Sequence, residues 1–136
     1  MKTRGHFLAA LAATTLALAA GHALAAPPVV EILAMPHPPV KMALAPLRSW
    51  LAAQGTKLKL VETDVESPQG EQRLAAVGLS GHVPIVILID GQYRHKSKGG
   101  AVQEFVNFPA IDGAPSGVRG KWVTADVQAA LTDRMK

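Results

Sequence analysis

The residues with most chemical scope between positions 26 and 136 are three histidines, His37, His82 and His95. Imidazole carries protons near neutral pH and also ligates metals. His37 sits in Pro36-His37-Pro38-Pro39, where the flanking prolines stiffen the backbone that carries it. Met35 lies two residues before His37, and His82 lies two residues before Pro84. Thioether and imidazole donors suit Cu(I), so Met35, His37 and His82 are each candidate ligands, with Met42 weaker; nothing in their spacing alone brings them together. The alternative for each methionine is ordinary core packing, and for the proline-rich segment a stiff, polyproline-like turn with no ligand.

The chain contains no cysteine. That excludes disulfides, thiolate metal sites, cysteine nucleophiles and dithiol redox chemistry. As a general base His37 has no nucleophile visible beside it. Glu62, Asp64 and Glu66 alternate along one segment, but no second acid faces them as glycoside hydrolysis requires. Ser80 lacks the flanking pattern of a nucleophile elbow, and no phosphate- or dinucleotide-binding glycine motif is present. The sequence therefore favours a binding or accessory role over catalysis.

These side chains need elements to hold them. Val29 to Met35 is an apolar, β-branched-rich run stopped by Pro36, which predicts a buried strand. Val40, Leu44, Leu47 and Leu51 then recur on one helical face up to Gly55, with Pro46 inside to kink the helix. Lys57 to Glu62 alternates as a second strand. Ser67 and Pro68 suit the cap and first turn of a helix carrying Leu74 and Val77 and closing at Gly78. Pro84 to Ile89 is the most apolar run and predicts the central strand. Asp90-Gly91 starts a turn, with Arg94 to Lys98 as a solvated hairpin tip and Ala101 to Phe108 returning as the fourth strand. After a loop from Pro109 to Trp122, Thr124 caps a last helix with Val127, Leu131 and Met135 on one face. A right-handed crossover makes the first two strands parallel, so the order predicts a small α/β sandwich.

Residues 1–25 have a separate pattern. Lys2 and Arg4 precede an uncharged apolar stretch from Phe7 to Ala20, and Ala23-Leu24-Ala25 is a small-residue cleavage signal. The segment reads as a secretory signal peptide, giving residues 26–136 as an exported domain, periplasmic or secreted, with no stable membrane insertion after cleavage. Lys2 and Arg4 are two of the 14 basic residues, so 12 face 10 acidic ones in the remainder. That near balance gives no footing for a nucleic-acid partner.

Several local features resemble the thioredoxin-like superfamily. His37-Pro38-Pro39-Val40-Lys41-Met42 stands where that family carries Cys-Gly-Pro-Cys-Lys-Met after its first strand. Pro39, Lys41 and Met42 match, and Pro46 matches the kinking proline after a shift of one residue. Gly81-His82-Val83-Pro84, a hydrophobic strand and Asp90-Gly91 are similar to the family's segment around its cis-proline. Across residues 29–134 the resemblance implies a thioredoxin-like βαβ-αββα sandwich with a mixed four-stranded sheet flanked by helices. Both family cysteines are replaced, by His37 and Val40, so no thiol–disulfide activity carries over. What the resemblance implies instead is geometry. Pro84 becomes a cis-proline against the start of the first helix, and the Val83 backbone is free to pair with an extended peptide. The expected groove comprises His37, Pro39, His82, Val83 and Pro84, with Trp122 brought in by the long loop beside Arg119 and Lys121. Trp122 has core packing as its alternative. The expected role is a non-catalytic module binding a protein or peptide partner without a cofactor, and the alternative is copper binding or delivery through Met35, His37 and His82.

Overall fold

A computed structural model describes residues 25–136 of the chain; the signal-peptide reading lies almost wholly outside the described residues. Strand β1, Val29–Ala34, forms the middle of a three-stranded sheet of order β2-β1-β3. β2, Lys59–Asp64, runs parallel to it, with Val29 opposite Lys59 and Ala34 opposite Asp64. β3, Ile85–Ile89, runs antiparallel on the other side, with Ala34 opposite Ile85 and Val30 opposite Ile89. Every residue of β3 is buried, as expected of a run with no polar position. β1 carries one charge, Glu31, and Arg73 takes both of its carboxylate oxygens at 2.8 and 2.6 Å. A bidentate guanidinium lets a carboxylate sit half-buried on the central strand of an apolar sheet.

Helix α1, Pro38–Ala53, connects β1 to β2 and buries Val40, Ala43, Leu44, Leu47 and Leu51, the apolar face expected from the spacing. Pro46 lies within the helix without ending it. Its missing N–H removes the helical partner of the Met42 carbonyl, and Met42 lies on the solvent side, 76% exposed, where that loss is tolerated. Helix α2, Pro68–Ala76, begins as the sequence predicts: the Ser67 hydroxyl accepts from the Gly70 N–H at 3.1 Å. The second strand starts two residues later than expected, because Gly55–Lys57 winds one 3-10 turn after α1.

The return from β3 departs from expectation. Asp90 and Gly91 both have positive φ, 50° and 80°, and Ile89 and Gln92 exchange both backbone bonds, which is the two-residue hairpin turn that Asp-Gly favours. The chain then forms a separate ribbon of β4, Arg94–Lys96, and β5, Val102–Glu104. It changes partner at Phe105, whose N–H goes to the Tyr93 carbonyl while its own carbonyl takes the Ile87 N–H. Val106 bridges Val86, the Asn107 N–H reaches the Ile85 carbonyl, and Asn107, at φ 70°, turns the chain away. The architecture is therefore mixed α/β with three helices and sheets of three and two strands; the expected fourth strand is reduced to a short attachment along β3.

Helix α3, Thr124–Thr132, buries Val127 and Leu131. Thr124 is its first helical residue and not its cap. Val123 occupies the cap position without a side-chain oxygen, and Asp126 reaches back to accept the Val123 N–H at 2.8 Å. Among the described residues no helix is long and apolar enough to cross a membrane.

Candidate functional site

β1 and β2 are parallel, so the loops leaving their C-terminal ends meet at one end of the sheet. His37, the residue before α1, and Glu66, in the β2–α2 loop, are joined there by a 2.9 Å contact between Nε2 and Oε2. Both side chains are about half exposed. The backbone beneath Glu66 is closely fixed. Asp64 accepts the Glu66 N–H at 2.8 Å, and the Ser67 hydroxyl donates to the Asp64 carbonyl at 2.6 Å. A side chain at Gly70 would place its Cβ 2.0 Å from that same carbonyl oxygen. No sequence motif joins His37 to Glu66. The signal was present, since parallel strands deliver their following loops to the same edge.

The β3 side of this end is set by Pro84, whose carbonyl accepts the Met35 N–H at 3.0 Å. Among the described residues every peptide bond is trans, which corrects the expected cis bond before Pro84. The Val83 N–H turns into its own loop and donates to the Gly81 carbonyl at 3.1 Å, so it is not presented to a strand-like ligand. Pro84 is buried, Val83 half-buried and His82 exposed. Of the expected groove, His37, Pro39 and His82 thus remain as surface residues.

Two further expectations are corrected by burial. Met35, the residue after β1, is 8% exposed and packs in the hydrophobic core, so its thioether is not displayed at the rim. Trp122 is 1% exposed. Its indole N–H is shared between the Val106 and Asn107 carbonyls, both at 3.2 Å, and its ring meets Phe105 edge-on at 6.1 Å. A buried indole with its one donor satisfied is a core anchor and offers nothing to a partner. Among the described residues no three His, Asp or Glu side chains gather to hold a metal. Of the Cu(I) candidates, Met35 lies in the core and His37 Nε2 faces Glu66.

The long loop does reach this end, as expected from the direction of the chain after β3. Phe108, Ile111, Gly113 and Pro115 face Pro39 and Met42 across an open cleft of about 400 Å³. Met42 and Ile111, 76% and 41% exposed, are among the most exposed large apolar side chains described. Their place as cleft walls differs from the metal-ligand role expected of Met42, and no expectation attaches to Ile111. Exposure on a helix face with Pro46 one turn on was the available signal for Met42; the loop carried none for Ile111.

The opposite end of the sheet holds His95, 7% exposed and therefore not the solvated hairpin residue its neighbours suggest. Its ring stacks on Phe105 at 5.3 Å. Comparison with protein-family models, with curated proteins and with solved structures finds no match.

Proposed function

We propose that the chain is an exported, thioredoxin-like domain that has no redox chemistry and acts as a non-catalytic module for a protein or peptide partner. The observation carrying this reading is the cleft between α1 and the Phe108–Pro115 loop, with the exposed Met42 and Ile111 on facing walls. Isolated exposed apolar side chains are ordinary, but two that face each other across an open cleft match the walls of a recognition groove. Methionine favours such a role because its unbranched thioether adapts to varied side chains. The fold part of the proposal is supported by the β2-β1-β3 order, by β1 being parallel to β2 and antiparallel to β3, and by the attachment of Phe105–Asn107 along the free edge of β3. The trans bond at Pro84 counts against the thioredoxin-like reading, which called for a cis bond there, and the binding role is accordingly assigned to the cleft beside α1, not to the Val83 backbone.

Selection of a random peptide library against the full chain tests the proposal. Enriched peptides carry apolar anchors, and binding is lost on Met42→Asp and on Ile111→Asp but retained on Arg94→Ala, which lies on the distant ribbon. Binding that survives both cleft substitutions, or no enrichment over a bare support, overturns it.

A further inference from the structure

His95 connects three parts of the chain that are far apart in sequence. Its Nε2 lies 2.8 Å from the Gln92 carbonyl. A carbonyl can only accept, so Nε2 carries the proton and Nδ1 of the neutral ring is an acceptor. That Nδ1 faces Arg134 Nη2 at 3.4 Å. Arg134 in turn pairs through Nη1 with Asp90 Oδ2 at 2.9 Å, and Asp90 Oδ1 accepts the Val29 N–H at 2.9 Å. The β3–β4 turn, the start of β1 and the segment after α3 thus meet at one imidazole and one carboxylate.

We propose that His95 is a proton-operated latch: the neutral ring holds Arg134 and the chain beyond α3 against the β3–β4 turn, and protonation of Nδ1 releases them. The physical basis is a reversal of polarity at a single atom. Neutral Nδ1 is a lone pair pointing at a guanidinium donor. Protonated Nδ1 is a second cationic donor at that distance, and neither group can accept. The ring cannot turn away, because Phe105 stacks on it and its other nitrogen is bound to Gln92. Arg134 lies past the last helical residue and is the freer of the two.

The surrounding charges set the balance. Asp90 favours the imidazolium and also keeps its bond to the Val29 N–H when Arg134 leaves. Lys96 and Lys98 from the ribbon and Asp126 and Asp133 from α3 and its end line the adjoining cavity, with Asp133 paired to Lys136 at 2.7 Å. Burial and the Arg134 charge hold His95 below the ordinary imidazole range. The latch therefore stays closed at neutral pH and opens on acidification.

The test is amide hydrogen exchange of the full chain between about pH 5 and about pH 8, read beside the imidazole NMR titration of His95. After correction for intrinsic exchange, residues 133–135 lose protection by about tenfold or more in step with His95 protonation. Arg134→Gln raises the His95 midpoint, because a like charge is removed. His95→Gln abolishes the pH dependence of residues 133–135. Protection that is independent of His95 protonation overturns the latch. If His95→Gln fails to fold, Arg134→Gln decides alone: an unmoved His95 midpoint overturns it.

Discussion

The two ends of the three-stranded sheet each pair a histidine with a carboxylate-bearing neighbourhood, and they are built in opposite ways. At the end formed by Ala34, Asp64 and Ile85, the His37 and Glu66 side chains stand half in water while the backbone beneath them is tightly held. At the other end the His95 ring is enclosed, and its polar atoms are committed to Gln92 and Arg134. A side chain whose hydrogen bonds all serve the fold has none left for a ligand. A side chain held only by an exposed contact can exchange it for a partner at little cost. Exposure over a rigid backbone, more than the residue type, is what leaves the first end's polar atoms free to meet a partner under the proposed reading.

The contrast can be broken or sharpened by substitution. The largest effect falls on Trp122→Ala, which removes the anchor of the loop that walls the cleft; urea unfolding is expected to show a loss of about 3–5 kcal/mol. A loss below about 1 kcal/mol would place Trp122 outside the core and return it to the surface. Gly70→Ala comes next, at about 1–3 kcal/mol, because its Cβ collides with the Asp64 carbonyl and must displace the loop that presents Glu66. Ser67→Ala removes a helix cap in the same loop, and a loss of about 1 kcal/mol is expected in the same assay.

The pH dependence separates the ends without substitution at the first. Above the unfolded imidazole value of about 6.5 His95 is neutral in both states. Below it the unfolded chain takes up a proton that the folded chain resists, so stability falls with falling pH until folded His95 is itself protonated. Urea midpoints measured across that interval should decline, and the decline should vanish in His95→Phe. The smallest effect is expected for His37→Ala, within about 0.5 kcal/mol, since an exposed contact contributes little to folding. A larger loss would show that the open end, too, is committed to stability.

Much of the scaffold was legible in the sequence. The 3.6-residue spacing of Val40, Leu44, Leu47 and Leu51 gave the buried face of α1, Ser67-Pro68 gave the start of α2, and Asp90-Gly91 gave the hairpin turn, because each is a local preference that tertiary contacts only reinforce. What escaped depended on contacts between distant segments. Ala101 to Phe108 alternates like a strand, yet no local signal reveals that Phe105 divides its bonds between Tyr93 and Ile87. His95 lies among Arg94, Lys96 and Lys98, and alternation along β4 turns it inward while its neighbours face water. Thr124 is a good cap by type, but the reach of Asp126 to Val123 moved the helix start one residue earlier. The His37–Glu66 contact joins residues 29 positions apart and follows from strand direction, not from any motif.

β2 has one further consequence. It is the outer strand of its sheet, and the Lys59 and Val65 N–H groups turn inward to Pro28 and Ala34, so the N–H groups of Leu60, Glu62 and Asp64 face outward. Such an edge is a template on which another chain can add as a strand. Here the outward positions carry two carboxylates, and Arg48 closes over one of them at 2.7 Å. Charged side chains at alternate residues of an exposed edge strand are a usual obstacle to edge-to-edge pairing, and on β2 they come at the cost of the burial that its neighbours β1 and β3 enjoy.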